Sequence, residues 1–365
     1  MARWSLPNVV SIPDLGPLAE SISQETGESK AIHPLSRDKQ WLAKLYRTPL
    51  PADAARHLTD LIHLPGAAAE SDRTLIAGST SWPVAAITDG ARTVGCVIPA
   101  ASDRFFAEFR RPQSEPNTRI MEIDFLAANS AAFARRGLAA VTLDDRIAVC
   151  RNLVAVATML ARYELVYSDW SYSNVLWSLS DRTVFVIDID GSVRGRKPNV
   201  HQPNWDDPLT GRADPADLRT DCYRVALLVA RCLTGERDRD RTLHALVDLQ
   251  RPGLSAVLLD ILLCTDRNRR PNLSTLVAAL DGNPYVRFPV PRGPMPPRPA
   301  PVTPPTPKPA ARPKAAPKLA PKPASKPVVR TGPSNDNTMS TPAAVVAVVV
   351  VVLSIVLLII AIANS

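Results

Sequence analysis

The spacing of apolar residues changes partway along the chain. Up to about Pro99 the apolar runs are short and β-like, as in Gln40 to Tyr46, Trp82 to Ile87 and Thr93 to Ile98, with one helical stretch near Ala52 to Leu64. From about Thr142 onward helical spacing dominates, in Asp144 to Tyr163, Asp221 to Leu233, Leu254 to Cys264 and Leu273 to Leu280. Two short strands, Val175 to Leu179 and Val184 to Ile187, separate the first two of these helices. The pattern predicts an α+β fold in which a small sheet-rich lobe precedes a helical lobe with a β insert.

The C-terminal pattern is different in kind. Ala343 to Ala363 holds only Ala, Val, Leu and Ile apart from Ser354. At about 1.5 Å rise per residue this run spans about 30 Å, the hydrocarbon thickness of a bilayer. Only Asn364 and Ser365 follow, and Met1 to Pro17 lacks the apolar stretch of a signal peptide, so a tail anchor is expected. Upstream, proline repeats such as Pro304-Pro305-Thr306-Pro307 and Pro321-Lys322-Pro323 remove backbone donors and fix φ, which predicts an extended spacer. The chain therefore divides into a globular domain at 1–283 (small lobe about 15–99, helical lobe about 100–283), a disordered linker rich in Pro, Lys and Arg at 284–341, and a transmembrane helix at 342–363.

Composition sharpens this division. The 365 residues include 36 prolines and carry a formal net charge of +8, which taken alone suggests a nucleic-acid or membrane-surface binder. Residues 284–340, however, hold ten Lys or Arg against the single acid Asp336, so the rest of the chain sums to about −1. Half of the prolines fall between Pro284 and Pro333. One tether produces both anomalies, and no nucleic-acid partner is expected. Basic residues on the N-terminal side of the span place the bulk of a single-pass protein of the cell membrane in the cytoplasm. The tether itself reads as a solvated spacer, a docking site for a proline-binding module, or a contact with anionic headgroups. Cys96, Cys150, Cys222, Cys232 and Cys264 form no CxxC pair, which argues against a disulfide framework or a zinc site and fits a reducing cytosol. The five histidines are scattered and read as surface or structural, and the charge run Glu236 to Arg241 reads as a solvated loop.

Candidate chemistry lies around the β insert. Asp169 is followed five residues later by Asn174, and Asp188-Ile189-Asp190-Gly191 comes after the second short strand. One carboxylate near an attacking hydroxyl, with an amide and a second carboxylate as hard oxygen ligands, is what magnesium-dependent phosphoryl transfer requires. Here the chain resembles the protein kinase superfamily, at its catalytic loop (HRDxxxxN) and its DFG motif. Three further segments match in order: Leu42-Ala43-Lys44-Leu45-Tyr46 resembles the Val-Ala-Ile-Lys strand, Thr220-Asp221 through Gly235 the helix F segment, and Arg269-Arg270-Pro271 the Arg-Pro of the last subdomain. Trp82-Pro83 with Gly95 to Pro99 looks like a divergent bacterial branch.

The resemblance implies a two-lobed kinase-like fold. It implies that ATP and Mg2+ (or Mn2+) bind between the lobes, with Lys44 and Gly27 at the phosphates, Asn174 and Asp188 as metal ligands, and Asp169 as catalytic base. It also implies that Asp221 caps the catalytic-loop backbone. A protein substrate phosphorylated on Ser or Thr is the expected acceptor.

Several positions depart from the family pattern. Only Gly27 remains of the glycine-rich loop in Ile22 to Lys30, Tyr167-Ser168 replaces His-Arg, and Ser171 replaces a phosphate-contacting Lys. Leu209 stands where a Glu should pair with Arg270, so Asp206 or Asp207 is expected to substitute, since an unpaired buried charge is costly. Asp60 is the best candidate for the helix acid that pairs with Lys44, and Asp190 is read as a turn cap rather than an added ligand. These departures keep two other readings open: a pseudokinase that binds nucleotide or a partner without turnover, and a phosphotransferase acting on a small molecule.

Overall fold

The computed structural model describes residues 5–23, 29–110, 115–128, 130–199, 201–285 and 289–299. Its architecture is α+β. The N-terminal lobe is built on a five-stranded sheet of β1 (Val9–Ser11), β2 (Ser29–Leu35), β3 (Asp38–Tyr46), β4 (Ala85–Asp89) and β5 (Arg92–Pro99), in the order β1-β4-β5-β3-β2. β1 runs parallel to β4, and every other pairing is antiparallel. A short helix α1 (Ile12–Leu15) follows β1, started by a reciprocal cap between Ser11 and Asp14. Residues before β2 also run along it: the Ala19 amide donates to the Pro34 carbonyl and that of Ile22 to the Ile32 carbonyl, both at 2.9 Å. Residues 24–28, which join the two arms, lie outside the described residues, and Gly27 with them.

Period-2 alternation along β3 decides which side chains face the rest of the molecule. Trp41, Ala43 and Leu45 pack with Leu15, Leu35, Ile87 and Val97 on the outer face. Leu42 and Tyr46 pack on the inner face with Cys96, Ile98 and the helix residues Leu58 and Ile62. Lys44 shares that inner face. It sits opposite Cys96 of β5, and Gly95 beside it is required because an added Cβ would run into the Lys44 carbonyl.

Two helices bridge β3 and β4, α2 (Ala52–Ala67) and α3 (Glu70–Ser79). α2 matches the sequence expectation, whereas α3 was not expected because its apolar positions are few. Its core contact comes from Ile76 and Leu75, and polar contacts add to it: Asp72, 5% exposed, accepts from Tyr163 Oη at 2.9 Å and pairs with Arg162.

After β5 the chain forms a hairpin of β6 (Phe106–Phe109) and β7 (Asn117–Ile120), and then α4 (Ser130–Ala134). The long α5 (Leu143–Arg162) follows, started by a reciprocal cap between Thr142 and Asp145. Two small antiparallel ladders come next. β8 (Leu165–Val166) pairs with β11 (Val193–Arg194), and β9 (Val175–Trp177) pairs with β10 (Val184–Val186). α6 (Leu218–Thr234) is buried along nearly its whole length and ends on Gly235 at φ +71°. α7 (Arg239–Val247), α8 (Pro252–Leu262) and α9 (Leu273–Leu280) complete the helical lobe. The charge run expected as a loop contains the start of α7, because Asp238 caps it through the Arg241 amide at 2.9 Å. All five cysteines are buried and none forms a disulfide.

The helical lobe also extends past the expected boundary at residue 283. Asp260 of α8, fully buried, accepts from Tyr285 Oη at 3.0 Å and pairs with Arg292. The Gly293 amide donates to the Leu263 carbonyl at 2.8 Å, and the Thr265 amide to the Pro291 carbonyl at 2.9 Å. The start of the stretch read as linker is thus docked as far as about Pro296, whose carbonyl meets His244 Nε2 at 2.9 Å. The tether from residue 300 onward and the span Ala343 to Ala363 lie outside the described residues. Among the described residues no helix is long and apolar enough to cross a membrane.

Candidate functional site

The segment Tyr167 to Asn174 leaves β8 and is pinned from below by α6. Both carboxylate oxygens of Asp221 are used: they accept from the Tyr167 and Ser168 amides at 2.8 Å each. These bonds hold Ser168 at φ +59°, a conformation that a non-glycine residue adopts only under constraint. Burial pushes the Asp221 carboxyl up to about 6, although the two amides and the Arg224 guanidinium pull the other way. Arg224, fully buried on α6, donates to the Ser168 carbonyl, and Lys197 Nζ donates to the Tyr167 carbonyl at 3.1 Å. The amides and carbonyls of Tyr167 and Ser168 therefore all have partners in the protein, which fixes where Asp169 emerges.

Asn174 closes the loop. Its Nδ2 donates to the Asp169 carbonyl at 3.0 Å, and its own carbonyl accepts from the Ile187 amide at 3.0 Å. Tyr167 Oη donates to the Ile187 carbonyl at 2.7 Å, so the loop is tied to the end of β10 on both sides. Asp188 follows immediately, at φ +58°.

The third component comes from the sheet. Lys44 Nζ lies 2.9 Å from Asp188 Oδ1 and 2.8 Å from Asp190 Oδ1. Burial alone would lower the pKa of this ammonium, but the Asp190 and Asp188 carboxylates outweigh it and hold the group protonated, above its ordinary range. The two carboxylates differ in access. Asp188 is 42% exposed at its side chain, whereas Asp190 is 5% exposed and has its second oxygen filled by Tyr46 Oη at 3.0 Å.

Two sequence expectations are corrected here. Asp60 stands exposed on α2 and makes no ion pair among the described residues. It is not the partner of Lys44, because the face of α2 turned toward β3 carries Leu58 and Ile62 instead. Asp190 is not a turn cap but a buried anchor for Lys44. A third expectation resolves: Asp207, not Asp206, meets Arg270, with both guanidinium contacts at 2.7 Å.

Further residues at the site carry no motif signal. Gln202 Nε2 donates to Asp169 Oδ1. Asp206 accepts from the Gln202 amide at 3.0 Å, lies 2.6 Å from His201 Nδ1 and 3.6 Å from Arg224, and so links the segment after β11 to α6. Tyr46 had one usable signal: it lies two residues from Lys44 on β3 and must share its face.

The donor set suits a hard divalent cation that keeps water. With Nδ2 of Asn174 committed to the Asp169 carbonyl, its amide oxygen and the accessible Asp188 carboxylate are the oxygen donors left at this edge. Two protein oxygens are the usual complement for Mg2+ bound with substrate phosphates. Among the described residues no group of three or more His, Cys, Asp or Glu is arranged to cage a metal by itself. The constellation thus offers a cation for anionic oxygens, a pair of metal donors and a separate carboxylate at Asp169. No family model matches the sequence, and no curated protein matches it.

Proposed function

We propose that the chain is a membrane-anchored, protein-kinase-like phosphotransferase that passes the γ-phosphate of ATP to Ser or Thr hydroxyls of a protein substrate. The observation that carries this reading is the meeting of Lys44 with Asp188 at 2.9 Å, across 144 positions of sequence, beside a loop that holds Asp169 and Asn174 on rigid backbone. Phosphoryl transfer needs positioning and charge compensation more than covalent chemistry, and these residue types supply both.

In this reading Lys44 binds phosphate oxygens, and Asn174 and Asp188 hold Mg2+ or Mn2+. The metal supplies neutralisation of charge on the transferring phosphates. Asp169 accepts the hydroxyl proton of the acceptor as its oxygen bonds to the γ-phosphorus and the bond to the β-phosphate oxygen breaks, leaving ADP. Gln202 must release Asp169 for this step. Asp221, Arg224 and Lys197 hold the loop and take no part in the proton transfer. Ala343 to Ala363 anchors the protein in the cell membrane, with the catalytic lobes cytoplasmic.

A second reading, a nucleotide-binding scaffold without turnover, is favoured by the closed arrangement in which Gln202 occupies Asp169 and two carboxylates occupy Lys44. Incubating the full chain with γ-labelled ATP, Mg2+ or Mn2+ and a general Ser/Thr acceptor separates the two. Label transfer supports the kinase. Nucleotide-dependent thermal stabilisation without transfer supports the scaffold.

A further inference from the structure

Lys44 has two carboxylate partners of unequal kind, and the difference has a consequence for how the site opens to a ligand. Asp188 is accessible, and among the described residues its carboxylate makes a single contact. Asp190 is buried, and both of its oxygens are committed, one to Lys44 at 2.8 Å and one to Tyr46 Oη at 3.0 Å. Tyr46 is itself set on the inner face of β3 against Leu58, Ile62 and Cys96. The Asp190 carboxylate therefore belongs to a fixed sheet-to-turn bridge, whereas among the described residues Asp188 is held by Lys44 alone.

We infer that Asp190, anchored by Tyr46, is the standing counter-ion of Lys44, and that it frees Asp188 to leave Lys44 for a divalent cation when a metal–nucleotide complex enters. This positioning role rests on the phosphotransferase reading above. A buried ammonium left without its carboxylate is costly, so if Asp188 were the sole partner, losing it to the metal would leave the incoming phosphates as the sole counter-charge of Lys44. With Asp190 in place that cost is not incurred. It follows that the position of α2 does not switch this site through Lys44, because the helix contributes Leu58 and Ile62 on this face and its acids, Asp53 and Asp60, are exposed. The element that controls Lys44 is the short turn Ile189–Gly191.

Two measurements on the full chain in detergent test this separately. The first is a double-mutant cycle read as shifts in the urea midpoint, with Lys44→Met combined in turn with Asp190→Asn and Asp60→Asn. The Lys44–Asp190 pair is expected to be non-additive and the Lys44–Asp60 pair additive, and the reverse pattern overturns the pairing. The second is the affinity for ATP with and without Mg2+, using a fluorescent ATP analogue. Asp190→Asn should weaken the Mg2+ complex about tenfold while leaving metal-free nucleotide nearly unchanged, because Asp188 is then retained by Lys44; that fold-change corresponds to about 1.4 kcal/mol. Tyr46→Phe, which keeps the carboxylate, should give a smaller loss of the same kind. Equal losses with and without metal would overturn the proposed release of Asp188. A wild-type chain that binds no nucleotide would overturn the phosphotransferase reading, while the cycle would still decide which acid pairs with Lys44.

Discussion

Asp207 and Arg270 face each other as a two-pronged ion pair, both prongs 2.7 Å long, with side chains 0% and 2% exposed. The pair joins the segment after β11 to the turn before α9, 63 positions away in sequence. It does what the sequence pattern assigned to a Glu at the Leu209 position. Removing one member leaves a buried charge uncompensated, so Asp207→Ala should cost about 3–5 kcal/mol in urea denaturation.

Asp221 offers a graded test of how the loop is held. Its two oxygens serve two amides, so Asp221→Asn keeps one acceptor and leaves the other amide facing a donor. A loss of about 2 kcal/mol is expected, with more for Asp221→Ala. Hydrogen exchange read at Tyr167 and Ser168 should accelerate in both variants while the α8 amides stay protected. Unchanged protection at those two amides would contradict the assigned role.

Glu122 supplies a pH dependence. It forms a bridge to Leu176 of β9, and burial, with the neighbouring Asp124 carboxylate, pushes its carboxyl from 4.5 up to about 7 against the pull of Arg237. The folded state then holds a proton that the unfolded chain releases. The stabilisation is complete below pH 4.5 and is lost as pH rises toward 7. Glu122→Gln should therefore match the wild type at pH 4 and exceed it above pH 7, by on the order of 2 kcal/mol. A pH–stability profile of the two proteins checks this.

Asp260 makes the boundary of the globular unit testable. It is 0% exposed and holds Tyr285 and Arg292 on the surface of the helical lobe. Asp260→Ala should expose the segment around residues 285–293 to limited proteolysis, giving cleavage ahead of residue 296 that the wild type resists. A chain cut at residue 283 should be less stable than one cut at 299 for the same reason.

The helices α2, α5, α6, α8 and α9 and the inner strands were legible because their chemistry is local. Leu273–Leu280 forms as read, and α5 and α6 differ from expectation only at their ends, since apolar spacing and the caps at Thr142 and Asp217 lie within a few residues of each other. β1, β8 and β11 were not legible. Each is two or three residues long and exists only because a distant partner completes its ladder. The site divides in the same way. Asp169, Asn174 and Asp188 could be named from residue types at fixed spacing, and Lys44 from the resemblance of its strand to the kinase pattern. Gln202 and the anchoring role of Asp190 depend on which chains meet in space. Asp60 was misassigned because proximity in the expected helix carries no information about which face turns inward. The docked start of the tether was missed because proline content marks the lack of regular structure, not the lack of contact: Pro291 and Pro296 accept hydrogen bonds through carbonyls that proline retains.

The most direct test of the central claim is transfer of label from γ-labelled ATP by the full chain with Mg2+ or Mn2+, compared with Asp169→Ala, Asp188→Ala and Lys44→Met. Metal-dependent transfer to a Ser or Thr acceptor, reduced at least a hundredfold in each of the three variants while their folding is retained, is the predicted result. Absence of transfer by the wild type with either metal, or transfer that survives Asp169→Ala and Asp188→Ala unchanged, would contradict it.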